Sequence, residues 1–202
     1  MFNETFIQIF NNVWPMCLIA LTIVISLRVT YLLMYKTNFT LYKELLGLLF
    51  IIYVMCLFYV VTFQDVSWSK SNFIPFREIF RYNFGSRAFI KNIMGNLIMF
   101  IPFGFFASYY LKPRKIKPIF LLSVLLSTVI ETTQSVIGRV FDVDDIILNI
   151  IGGSVGYLVY SNIHWLEGRL PSFLKKDWVY NIIMVIIILA IIIYFGRIII
   201  GG

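Results

Sequence analysis

Histidine and cysteine are nearly missing from this chain, which has one histidine, His164, and two cysteines, Cys17 and Cys56, in 202 residues. That shortage excludes a disulfide framework and the Cys/His ligand sets that hold zinc. Both cysteines sit inside apolar runs, where a thiol behaves as a small hydrophobe. Charge is scarce too, at 13% of residues against roughly 25% in soluble domains. Glycine-rich phosphate loops, serine-centred elbows and paired-cysteine motifs are all absent, so the usual signatures of nucleotide binding and acyl transfer are missing. The net charge of +7 does not point to nucleic acid, because the basic residues lie in short loops between apolar runs. Membrane topology and anionic lipid explain them.

What the chain has in abundance is apolar sequence, 60% of all residues. A bilayer core needs about 20 apolar residues per helix, and runs of that length recur. Candidate spans cover Val13 to Tyr35, Leu45 to Phe63, Asn92 to Leu111, Pro118 to Ile137, Asp145 to Asn162 and Val179 to Ile200. The amino-terminal MFNETFIQIFNN lacks the positive region of a cleavable signal, so the first run is expected to be a retained helix. Arg28 lies late in that span, where a long side chain can snorkel to the interface. Between Gln64 and Lys91 the chain mixes aromatic and basic residues, a pattern suited to a loop with an interfacial helix. Its aromatics Trp68, Phe73, Phe76, Tyr82 and Phe84 are expected at headgroup level. Pro102 and Gly104 should kink or loosen the third span, and Gly152, Gly153 and Gly156 should admit a close neighbour to the fifth. The expected fold is therefore all-α: a polytopic transmembrane helical bundle of about six spans plus an interfacial amphipathic segment. It divides into residues 1–66 with two helices, residues 67–162 with the interfacial loop and three helices, and residues 163–202 with a cytoplasmic loop and a last helix.

Cytoplasmic loops carry the excess of Lys and Arg. One side collects Lys36, Lys43, Lys112, Arg114, Lys115, Lys117, Arg169, Lys175 and Lys176, and the other Lys70, Arg77, Arg81, Arg87, Lys91 and Arg139. The first side is expected to be cytoplasmic, with both termini outside.

Whichever side is outside, alternation of six spans brings three polar clusters to one face. They are Asn72 with Pro75 in the surface loop, Asn92 with Asn96 at the start of the third span, and a run from Glu131 to Asn149. In that run Glu131 and Gln134 share a helical face, as do Asp145 and Asn149, with Asp142 joining them if the fifth helix starts early enough. Glu131, Gln134, Asp145 and Asn149 should then face one another beneath a cap of Arg139 and Asp142. Charges at membrane depth are costly, so they pair, line a wet cavity or serve function. Four carboxylates with one nearby cation make a negative site, whose oxygen-only donors suit a hard divalent cation such as Mg²⁺ or Ca²⁺. His164 is expected in a loop on the opposite face, which removes it from any relay with Glu131.

The stretches NFIPF, NIMGNLIMFIPFG and IETTQSVIGRVFDVDDIILNIIGG, in this order, resemble the VanZ-like membrane protein family over Asn72 to Tyr160. The most specific part is Glu131-x-x-Gln134 followed by Arg139-x-x-Asp142-x-x-Asp145-x-x-x-Asn149. The resemblance implies a bacterial cytoplasmic-membrane protein, linked in the founding member to low-level teicoplanin resistance, with the polar face outside the cell. The family's polar positions map to Asn72, Pro75, Asn96, Pro102, Glu131, Gln134, Arg139, Asp142, Asp145 and Asn149. The leading expectation is a protein that binds or shields an envelope component, with Asn72, Asn96, Gln134, Arg139 and Asn149 as binding residues and membrane lipids and a lipid-linked cell-wall precursor or lipoglycopeptide antibiotic as partners. An enzyme acting on such a lipid would use Glu131, Asp142 and Asp145, Glu131 as general acid or base.

Overall fold

The computed structural model describes residues 2–35, 39–63 and 71–200. Helices follow the hydropathy pattern: α1 (Phe2–Tyr35), α2 (Leu41–Phe63), α3 (Arg77–Arg81), α4 (Arg87–Phe89), α5 (Gly95–Leu111), α6 (Lys117–Val136), α7 (Val143–Arg169) and α8 (Asp177–Ile200). A π-turn at Ile90–Met94 joins α4 to α5. Among the described residues six stretches are long and apolar enough to cross a membrane: Asn11–Tyr35, Leu41–Thr62, Asn92–Leu111, Lys117–Val136, Val143–Arg169 and Asp177–Tyr194. The protein is thus an all-α chain with six membrane-spanning helices. Trp68, Lys36, Lys70 and the boundary at 66/67 lie outside the described residues.

The chain forms two compact units. The first, Met1–Val60 with Arg169–Gly202, contains an Arg28–Glu44 ion pair. Arg28 does not depend on snorkelling alone, because its Nε and Nη2 donate to Glu44 Oε2 and Oε1 at 2.8 and 2.7 Å. A forked guanidinium–carboxylate pair of this kind is the geometry Arg favours over Lys. Asn12 donates to the Tyr59 hydroxyl at 2.8 Å, and the Tyr42 N–H donates to Asn181 Oδ1 at 2.9 Å.

The second unit, Val61–Gly168, holds the polar residues. Its centre is a close approach of α5, α6 and α7. A methyl group added at Gly104 would overlap the Gly153 backbone, one at Gly152 the Leu97 carbonyl, and one at Gly156 the Ile101 carbonyl. At Gly153 the obstacle is the Ser123 hydroxyl. Small residues at these positions let backbones touch, which is how helices associate in lipid, where no hydrophobic force drives them together. Phe100 and Ile119 fill the remaining space and are fully buried. Helix α5 runs on through Pro102, and Ser108 bonds the Gly104 carbonyl at 2.6 Å.

Two expectations are corrected. The fifth span is longer than Asp145 to Asn162, and it carries His164 inside α7 instead of in a loop. The imidazole stacks on Tyr160 with ring centroids 5.9 Å apart and meets Glu167 at 3.4 Å. The 71–91 segment, expected as a loop with a helix, is a loop that carries two short helices. It is an extended piece followed by the single-turn α3 and a loop into α4.

Candidate functional site

Asp142 precedes the first residue of α7 and acts as its N-cap: its Oδ1 accepts the Asp144 N–H at 2.9 Å, satisfying a donor the helix itself cannot pair. The helix therefore begins too late to place Asp142 on a common face with Asp145 and Asn149. The strand-like residues before α7 hold the surface loop. Asn72 N–H donates to the Phe141 carbonyl at 2.9 Å, and the Asn72 carbonyl accepts from the Val143 N–H at 3.0 Å, a two-bond parallel bridge. Asn72 Nδ2 also reaches Asp142 Oδ1 at 2.9 Å, and its Oδ1 accepts the Ile74 N–H at 3.1 Å. Every polar group of this buried asparagine is engaged, as burial demands.

Asp144, only 1% exposed, supplies what α3 lacks. The residue at the helix start, Phe76, has a left-handed backbone (φ 67) and offers no side-chain cap. The Asp144 carboxylate takes that place from a distant part of the chain, accepting the N–H groups of Phe76, Glu78 at 2.7 Å and Ile79 at 3.2 Å. Hydrogen bonds to a charged acceptor contribute about 1.5–3 kcal/mol each, which stabilises the left-handed Phe76. Asn72 Nδ2 lies 3.4 Å from the same carboxylate.

Glu131, 2% exposed on α6, accepts the Asp142 N–H at 3.0 Å through Oε2. Gln134 is oriented by its neighbours, with its amide nitrogen donating to Glu131 Oε1 at 3.1 Å and its oxygen accepting from Arg139 Nη1 at 2.8 Å. Arg139 Nη1 donates also to the Val61 carbonyl at 2.9 Å. Among the described residues Arg139 forms no ion pair with the carboxylates, although its charge lies close to Glu131 and Asp145. Asn149 sits one turn deeper than Asp145 and turns to Ser127 at 2.9 Å instead of to Glu131. Its Oδ1 is buried and has no hydrogen-bond partner among the described residues. Asn92 pairs with the Tyr82 hydroxyl at 3.0 Å, whereas Asn96 reaches Asp145.

The structure therefore separates the expected residues into two groups. Asn72, Glu131, Gln134 and Asn149 are buried. Asn96, Arg139, Asp142 and Asp145 are half-buried and make up the rim of the network. Among the described residues Asp145 is hydrogen-bonded on that rim by Asn96, with the charges of Glu131, Asp142 and Arg139 close by. Burial holds the Asp142 carboxyl above the ordinary aspartate range, opposed by its bonds from Asn72 and Asp144. Among the described residues no three His, Cys, Asp or Glu side chains converge as ligands for a metal ion. Backbone N–H groups and amides hydrogen-bond these carboxylates. Sequence reasoning missed the bracing role of Asp144, together with Ser127 and Tyr82 as partners of Asn149 and Asn92.

Fold and site together define a multi-pass helical membrane protein with a carboxylate–amide network at one end of three spans. A family model described as VanZ/LLP1 matches residues 50–166, more than half of the chain, and the chain belongs to that family. No curated protein and no solved structure matches it.

Proposed function

We propose that this is a bacterial cell-envelope protein that binds or shields a lipid-linked cell-wall precursor or a lipoglycopeptide antibiotic at the Asn96–Arg139–Asp142–Asp145 rim, on the extracytoplasmic face. The observation that carries this reading is the contrast within the network. Glu131 and Asp144 have their oxygens occupied by internal donors, while among the described residues the half-buried Asp145 is met by the Asn96 amide and keeps acceptor capacity beyond it. A carboxylate beside an amide and a guanidinium presents acceptors and donors within one small area, a surface suited to the hydroxyl, amide and amine groups of an envelope saccharide or peptide. Membrane residence suits a ligand with a lipid tail, and the charge asymmetry of the loops supports the outward placement.

Catalysis by Glu131, Asp142 and Asp145 is less well supported. Glu131 is sealed from solvent and Asp142 caps a helix, and a general acid or base must reach the reacting proton.

Susceptibility of cells tests the proposal. Deleting the gene should change sensitivity to teicoplanin more than to vancomycin, and Asp145→Asn at unchanged protein level should reproduce the deletion. Unchanged sensitivity to both antibiotics after deletion would remove the resistance role.

A further inference from the structure

The loop that Asp144 and Asn72 pin down carries its apolar side chains outward. Phe73, Phe80 and Phe84 are 71%, 83% and 92% exposed, and Ile74 and Phe76 are exposed beside them. These residues could have been turned inward, yet the buried positions of the loop are taken by the polar Asn72 and by the backbone N–H groups facing Asp144. The left-handed Phe76 holds its ring on the outside at a backbone conformation costly for a bulky residue. Phe73 is supported from behind by stacking on Phe141, with ring centroids 5.3 Å apart, and Phe84 by the edge of Phe89 at 5.0 Å. A contiguous apolar patch of this kind marks an interaction surface.

Chain connectivity identifies what covers it. The segment lies between the end of α2 at Phe63 and the span that begins at Asn92, so it lies at the mouth of the membrane. Exposed Arg77 and Arg81 stand one turn apart among the phenylalanines, with Arg81 held at 3.1 Å from Glu78. Aromatic rings interleaved with arginines match the boundary between acyl chains and anionic headgroups.

We infer that residues 73–84 form a rigid apolar wedge, braced from within by Asp144 and Asn72, that seats in the headgroup and upper acyl region of the bilayer leaflet adjoining the carboxylate network. The wedge is independent of what the Asp145 rim binds. Its consequence for that rim is geometric: a ligand anchored in the same leaflet reaches Asp145 without leaving the membrane surface.

The test uses the full chain with Cys17→Ser and Cys56→Ser, carrying Phe80→Cys or Phe84→Cys labelled with an environment-sensitive dye. The protein is reconstituted in phosphatidylcholine–phosphatidylglycerol vesicles with spin-labelled lipids. Both positions are exposed, so neither substitution removes a buried side chain. The wedge requires blue-shifted emission at both sites, quenched more strongly by a spin label near the headgroup than by one near the chain end. Water-like emission without lipid quenching overturns it. Blue-shifted emission that no lipid label quenches also overturns it, because the face is then covered by protein, a second copy included.

Discussion

At the scale of single residues, neighbouring acidic side chains have opposite duties. Asp144 stitches a remote loop to α7 through three backbone N–H groups, whereas Asp145, next in sequence, points to Asn96 and the rim. Asp144→Ala should therefore lower stability on the order of 3 kcal/mol, since several donors lose a charged acceptor at once. Asp145→Asn should leave the unfolding midpoint nearly unchanged while removing the cellular phenotype. Thermal unfolding of both variants in detergent checks the contrast, and equal losses would erase the division of roles. Asp142 adds a dependence on pH. Its carboxyl titrates higher in the fold than in the unfolded chain, so the native state binds the proton more tightly. This contribution to stability is present below the ordinary aspartate value of about 3.9 and is lost as pH rises through the raised folded value. Unfolding midpoints of the parent and Asp142→Asn, measured across that interval, should diverge as pH rises, the parent falling relative to the variant. Parallel curves would contradict the assignment.

Among the elements, α5, α6 and α7 depend on glycine for contact. Gly104→Ala or Gly156→Ala drives a methyl into a facing backbone and should cost about 1–3 kcal/mol as overpacking. Gly168→Ala, at a helical position with open space around it, should be neutral or stabilising by up to about 1 kcal/mol. The melting temperatures of these variants give the comparison. The same elements show what could be read from the chain and what could not. The spans were legible because twenty apolar residues have few other uses, and the glycines of α7 because their spacing keeps them on one face. Glu131 with Gln134 was legible from helical periodicity, and the network does join them. Asp144 was not, because a cap supplied from some seventy residues away leaves no local spacing to recognise. Nor was the start of α7 at Val143, two residues before the expected Asp145, which depends on the Asp142 side chain accepting the Asp144 N–H. The deeper placement of Asn149 escaped for a related reason: its partner Ser127 is a common residue with no motif around it.

For the whole molecule, membrane crossing follows from six apolar helices, and membership of the VanZ/LLP1 family from the match over residues 50–166. Sidedness rests on the Lys and Arg of the loops. In a chain lacking its native cysteines, Ser71→Cys should react with an impermeant thiol reagent added to intact cells. Arg114→Cys, in the turn before α6, should react only after permeabilisation, and the reverse pattern would turn the protein over. The account depends above all on side chains of α5 and α7 meeting at one membrane depth. The most direct measurement is thiol cross-linking in native membranes with Asn96→Cys and Asp145→Cys combined in the Cys17→Ser, Cys56→Ser chain. A short bifunctional linker should join that pair rapidly and leave Asn96→Cys with Arg114→Cys unjoined. If the first pair stays unlinked in protein that is inserted and folded, α5 and α7 do not share a polar rim.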